Sequence, residues 1–279
     1  MSFTTAVLQM DIAYKNPEKN REHMRGLIEK ACQVTSGAKP DVLVLPETCT
    51  TGYSESVFHE IGAYAETEDG PTLSFLKETA ARLGVWIVTG SLPEKDGDKV
   101  YNTVFMLDRA GRLVGKYRKM HLYSAMDEDA AFANGTEMPV FATEFGPVAM
   151  MTCYDIRFVE LSRTYAVRGA KAIFIVSNFP NPKVNHWRTL LQARAIENQL
   201  YIVACNRVGA AESNTYFGHS LIIDPWGEII AEGNDEESIL AGTVDFAAVD
   251  AVRKKIPMYY DRQPASYPKD ILLPAQFPV

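Results

Sequence analysis

Short, predominantly apolar runs recur along the whole chain: residues 3–10, 42–45, 85–89, 148–152, 172–176, 200–204 and 220–223. Each is too brief for a buried helix, and the run 42–45, stopped by Pro46, has the look of a strand covered on both faces. Helix signals separate the runs. Asn16 is placed to cap a helix that starts at Pro17 and Glu18, with Met24, Leu27, Ile28 and Ala31 at helical spacing. Pro71 opens a second helix with Leu73, Leu76, Ala80 and Leu83 on one face and Gly84 as its stop. Leu161, Tyr165 and Val167 mark a third, ending at Gly169, and Trp187, Leu190, Leu191 and Ile196 a long fourth. Asp245 caps a short fifth that bears Phe246, Val249 and Val252.

Two hairpins complicate this alternation. Runs 101–107 and 113–118 flank a connection in which Gly111 supplies the left-handed turn, and Asp224-Pro225-Trp226-Gly227 has the residues of a type I turn joining 220–223 to 229–230. A further strand is expected over 239–244. Strands alternating with helices, plus hairpins, predict an α/β fold with mixed sheets covered by helices, not a purely parallel doubly wound sheet. No internal repeat or low-complexity tract is visible.

At 279 residues and 47% hydrophobic content, one domain spanning 1–279 is expected. Its composition changes at 256, where five prolines and three tyrosines over 256–279 suggest an extended C-terminal arm lying over the body or over a neighbouring subunit. A net charge of -7 argues against nucleic-acid partners. No apolar run approaches the roughly 20 residues of a membrane helix, so no membrane partner is expected. Residues 1–5 carry no basic region or small-residue cleavage site, and Cys32, Cys49, Cys153 and Cys205 have no paired spacing. A cytoplasmic enzyme without disulfides or zinc is the expectation.

Three polar segments stand at the exits of apolar runs: Leu45-Pro46-Glu47, residues 117–121 with Lys119, and Cys153-Tyr154-Asp155. Together they supply a carboxylate, an ammonium and a thiol, the groups needed for acyl transfer through a thioester. Cys32, Cys49 and Cys205 read as small buried hydrophobes. Cys153, between a strand and a helix, is expected to turn its sulfur toward solvent while the helix N-terminus and a nearby cation favour the thiolate. Glu47, just after four apolar residues, is expected to be partly desolvated and so raised toward a range where it accepts a proton. Strand alternation puts Tyr117, Lys119 and His121 on one face and Lys116 and Arg118, read as rim charges, on the other. His121 is the other possible base for a thiol, but no orienting carboxamide stands near it in recognisable spacing, and Glu47 ranks above it.

These segments resemble the nitrilase (carbon–nitrogen hydrolase) superfamily. The resemblance is close to full length and includes Gly52-Tyr53, residues 116–122, 153–158, Ala193-Arg194-Ala195-Ile196-Glu197-Asn198 and Asp224-Pro225-Trp226-Gly227. It implies an α-β-β-α sandwich that forms a homodimer by stacking into an αββα–αββα assembly. It also implies Glu47 as base, Cys153 as nucleophile, Lys119 and the backbone N–H of Tyr154 as oxyanion donors, and Glu128 as the carboxylate that positions Lys119. Neither metal nor organic cofactor is required. Within the superfamily, Cys-Tyr-Asp-x-Arg-Phe is similar to omega-amidases and deaminated-glutathione amidases, whereas nitrile hydrolases proper carry Trp-Glu after the cysteine. Residues 177–182 with His186-Trp187 look most like bacterial omega-amidases, which cleave the terminal amide of 2-oxo acids such as 2-oxoglutaramate. Tyr53, Arg157, Asn178, Phe179 and Trp187 are then expected at the substrate, with Arg157 on its carboxylate, unless that arginine pairs with a neighbouring acid. A deaminated-glutathione amidase or another amidase or nitrilase of the superfamily is the alternative. Outside these, the remaining alternatives are a catalytically silent binding protein on the same scaffold and a Cys–His hydrolase using His121.

Overall fold

The computed structural model describes residues 1–34 and 39–267. The apolar runs form two six-stranded mixed sheets. Ser2–Gln9 (β1), Val42–Val44 (β2), Trp86–Asp96 (β3), Lys99–Leu107 (β4) and Leu113–Arg118 (β5) build the first. Phe141–Thr143 (β6), Gly146–Thr152 (β7), Ala172–Ser177 (β8) and Tyr201–Asn206 (β9) begin the second. Val208–Ala211 (β10) and Asn214–Phe217 (β11) form a separate ribbon; Leu221–Ile223 (β12) and Ile229–Glu232 (β13) complete the second sheet, and Ser238–Asp245 (β14) returns to the first. The strand orders are β14-β1-β2-β3-β4-β5 and β13-β12-β9-β8-β7-β6. In each, a parallel trio, β1–β2–β3 or β7–β8–β9, is flanked by antiparallel strands.

The first sheet explains why its runs lack polar alternation. Phe3, Val7, Val42, Val44, Val88 and Met106 face the second sheet, while Ala6, Leu8, Leu43, Leu45, Ile87 and Leu107 face helices Pro17–Val34 and Pro71–Leu83. Both faces are dry, and each fully buried aliphatic side chain contributes about 1.5–3 kcal/mol. Helices Val159–Val167 and Val184–Asn198 pack on the second sheet through Leu161, Tyr165, Trp187 and Leu191. The layers run helix, sheet, sheet, helix.

The local signals for helix ends correspond to observed caps. Asn16 Oδ1 accepts from the Lys19 N–H at 3.1 Å, Gly84 closes its helix at φ 61, and Asp245 Oδ1 accepts from the Ala247 N–H at 3.0 Å. Elsewhere the structure departs from the sequence reading. β3 runs on to Asp96 and turns at Gly97 into β4, a hairpin that polar residues had hidden. β6 and the β10–β11 ribbon were likewise unread. Val167 and Ile196 lie on exposed helix faces, at 50% and 52%. Lys116 and Arg118 are not solvated rim charges, because both bind the buried carboxylate of Glu94. Of the C-terminal segment, Met258–Asp261 is a helical turn rather than extended chain, and the Tyr259 hydroxyl donates to Asn198 O at 2.5 Å. Residues 268–279, with Pro268, Pro274 and Pro278, lie outside the described residues.

Candidate active site

The strands of both sheets deliver polar residues to one place. Glu47 follows β2 by three residues, Lys119 follows β5, Cys153 follows β7 and Asn178 follows β8. The chain turns left-handed where two of them emerge, at Thr48 (φ 39) and at Cys153 itself (φ 44). A cysteine in that region is strained unless its surroundings hold it there.

Lys119 is fully buried between two carboxylates. Its Nζ donates to Glu47 Oε1 at 2.9 Å and to both oxygens of Glu128 at 2.8 Å. The remaining valences are filled as well. Glu47 Oε2 accepts from the Asn178 N–H at 2.8 Å, and the Asn102 amide bridges Glu47 Oε1 and Glu128 Oε1 at 3.1 and 3.0 Å. Glu128 Oε2 accepts from the Tyr53 hydroxyl at 2.8 Å and the Tyr123 N–H at 2.7 Å. The Asn178 amide in turn donates to Glu47 O and Thr48 Oγ1, both at 2.7 Å. A buried charge is tolerated only with such partners.

These surroundings set the proton affinities. Burial, with the Glu128 charge, raises the Glu47 carboxyl above the ordinary range against the pull of Lys119. Burial works against the Lys119 charge, but Glu128 and Glu47 together hold the ammonium firmly protonated. Burial and Glu47 push the Cys153 thiol up, with Lys119 opposing. The expectation of an exposed sulfur resting as thiolate is therefore corrected: Cys153 is 7% exposed, and its resting form is the neutral thiol, which needs a base to react.

A cavity of about 320 Å³ opens onto Cys153 and Asn178. Tyr53, Tyr123, Met126, Tyr154, Phe179, Pro180 and Tyr216 wall it. Glu47, Lys119 and Glu128 sit behind this lining, reached through Asn178, Cys153 and Tyr53. Two half-buried cations, Arg157 and Lys183, complete the wall. Arg157 lies over the Phe179 ring and contacts His186 Nδ1 at 3.4 Å, and Lys183 lies over the Tyr123 ring. Neither pairs with a carboxylate among the described residues.

A thiol beside a carboxylate–ammonium–carboxylate relay suits attack on a polarised carbonyl carbon, and the family comparison agrees: the carbon–nitrogen hydrolase model matches residues 4–254. The chain belongs to the carbon–nitrogen hydrolase family. It is 41% identical over 262 residues to a 2-oxoglutaramate amidase of Bacillus subtilis (strain 168), covering 94% of this chain and 98% of that one. It is 33% identical over 270 residues to the omega-amidase NIT2 of Danio rerio, at 94% and 95% coverage. The fold matches XC1258 from Xanthomonas campestris, a CN-hydrolase superfamily protein with an arsenic adduct in its active site, at a TM-score of 0.85 and 29% identity over 94% and 98% of the chains. This hydrolase thus acts on carbon–nitrogen bonds other than peptide bonds.

Of the residues singled out in the sequence, Glu47, Lys119, Glu128 and Cys153 come together, and Tyr53, Tyr154, Arg157, Asn178 and Phe179 line the hydrolase's cavity. Tyr154 is the second residue of the tight turn Cys153–Arg157, where an N–H has no acceptor within the turn. Trp187 is a correction. It is wholly buried behind Phe179, ring centroids 5.3 Å apart, and its indole N–H donates to His219 O at 2.7 Å, so it supports the wall without reaching the cavity. His121 does not face the thiol either; its Nδ1 lies 2.8 Å from Asp155 Oδ1 and its ring stacks on Phe158 at 3.7 Å. Sequence reasoning missed Asn102, Tyr123, Met126, Lys183 and Tyr216. Lys183, three residues beyond Pro180, carried a signal in being a cation at the end of a proline-broken loop; Tyr216 had none. Among the described residues no group of three His, Cys, Asp or Glu is placed to hold a metal ion.

Proposed function

We propose that this hydrolase is an omega-amidase that cleaves the terminal amide of a small carboxylated substrate of the 2-oxoglutaramate type, releasing ammonia. The observation that carries the reading is the coexistence, along one cavity, of a thiol backed by the Glu47–Lys119–Glu128 relay and two cations without a carboxylate partner among the described residues. The likeness to the Bacillus subtilis amidase supports the choice of substrate.

In this reading Glu47 takes the thiol proton as the Cys153 sulfur attacks the amide carbon. The developing oxyanion is met by the Lys119 ammonium and the Tyr154 N–H, each donor lowering the barrier by about 3–4 kcal/mol. The C–N bond breaks, and ammonia leaves with the proton returned by Glu47. Glu47 then deprotonates a water that attacks the thioester carbon; the S–C bond breaks and the thiol is restored as the acid departs. Glu128 keeps Lys119 charged and in place. Arg157 receives the substrate carboxylate, and Tyr53, Asn178 and Phe179 shape the space between. The same reading treats 1–279 as one domain that works as a homodimer.

Ammonia release from 2-oxoglutaramate, with an acyl or alkyl adduct on Cys153 by mass spectrometry, is the test. Cys153→Ala should abolish both. Turnover of uncharged aliphatic amides or of nitriles with none of 2-oxoglutaramate would remove the substrate assignment, and undiminished turnover in Cys153→Ser would remove the mechanism.

A further inference from the structure

Asp155 is a fully buried carboxylate that the proposed chemistry does not use. It stands two residues after Cys153, yet three of its four contacts go to residues at the exit of β5 in the other sheet. Oδ1 accepts from the His121 N–H at 3.1 Å and lies 2.8 Å from His121 Nδ1; Oδ2 accepts from the Tyr117 hydroxyl at 2.6 Å and from the Thr152 N–H at 2.9 Å. A carboxylate has about four lone-pair positions, and here all are taken.

The partners are not scattered. Tyr117 and His121 flank Lys119 on the exit of β5 in the first sheet, and the Tyr117 hydroxyl also accepts from the Met120 N–H at 3.2 Å. Thr152 immediately precedes Cys153 at the end of β7 in the second sheet. One carboxylate therefore holds the Tyr117 side chain before the ammonium, the His121 backbone after it, and the backbone of the residue that leads into the thiol. It also accounts for how Cys153 stays at φ 44, since the Thr152 amide is pinned back onto the turn that follows it.

We propose that Asp155 is the positioning residue that fixes the Lys119 ammonium relative to the Cys153 sulfur by tying the exits of β5 and β7 together. The inference rests on the roles given above to Lys119 and Cys153. It predicts a particular pattern of damage. Attack on an amide needs sulfur and ammonium in register with one carbonyl, whereas alkylation by an iodoacetamide-type electrophile develops no oxyanion and needs only the thiol and its base.

The experiment compares parent, Asp155→Asn and Tyr117→Phe, with active thiols counted by mass spectrometry of the Cys153 adduct so that misfolded protein drops out. In Asp155→Asn the amide NH2 faces a backbone N–H whichever way it turns, that of His121 or that of Thr152. Turnover per titrated thiol should fall roughly a hundredfold, the scale of a displacement near 1 Å, with KM within about threefold and alkylation rate little changed. Tyr117→Phe removes the bond to Asp155 Oδ2 and the one accepted from the Met120 N–H while preserving ring packing, and should lose about tenfold in kcat. Should Asp155→Asn fail to fold, Tyr117→Phe decides. Parent-like turnover per titrated thiol, or a loss of alkylation in step with turnover, would overturn the positioning role. Failure of the underlying reading is distinguishable, because it would show in the parent as an active Cys153→Ser.

Discussion

The closed and open ends of the cavity treat charge in opposite ways. Behind Cys153, two carboxylates share one ammonium and every oxygen of both is engaged at 3.1 Å or less. At the half-buried end, Arg157 and Lys183 rest against aromatic rings with no carboxylate among the described residues to answer them. The first arrangement is complete without a ligand, and the second, in the proposed reading, is completed by one. Charges that are already satisfied should govern rate and stability; charges left open should govern affinity.

Lys119→Met breaks the closed end most severely. It strands two buried carboxylates, a change that typically costs about 3–5 kcal/mol in stability. It also removes one of two proposed oxyanion donors, for a kcat loss of roughly 10²–10³-fold or more. Denaturant melts and kinetics on the soluble fraction measure both. Glu47→Gln keeps the shape and most of the bonds but removes the proposed base; kcat should drop about 10²–10⁴-fold with KM nearly constant. If the two variants instead raised KM alone, the closed end would be a binding device and the comparison would collapse.

The pH profile sharpens the same contrast. Burial holds the Glu47 carboxyl above its ordinary range, so the base is lost to protonation earlier as pH falls. The acid limb of kcat/KM is expected above the roughly 4.3 of a free glutamate. A limb at or below that value would mean that Lys119 outweighs burial.

At the open end, Arg157→Ala should raise KM for a carboxylated amide roughly 10- to 100-fold, the worth of a charge-assisted hydrogen bond, with kcat changed little. An uncharged amide should barely notice the substitution. Lys183→Met is expected to act the same way but more weakly, and added salt should raise KM a few-fold because these cations are partly exposed. Smallest of all, Trp187→Phe should cost about 1 kcal/mol in stability through the lost bond to His219 O and leave kinetics near normal.

How much of this was legible in the sequence follows the same division. The doubly covered strands have no polar alternation, so their ends stand out, and the residues directly beyond them were readable as a group: Glu47, Lys119, Cys153. The carboxylate pairing of Lys119 through Glu128 came only from resemblance, because a short turn at Glu128–Ala131 has no periodic signature. The cavity walls were harder. Tyr216 sits on a ribbon whose other strand is Val208–Ala211, small residues that resemble a loop in any pattern reading. Trp187 misled for a simple reason: an indole within a motif segment can line a cavity or brace the residue that does, and only packing tells which. The exposed thiolate was misjudged because a strand-to-helix junction implies access, whereas here Cys153 is enclosed in the core that the two sheets share and borders the cavity.

That closure has a practical consequence. The proposed base and ammonium are carried by one sheet and the sulfur by the other, so activity gauges the gap between two slabs that can slip before either melts. On slow warming, hydrolysis should fade while far-ultraviolet circular dichroism still reports intact helices.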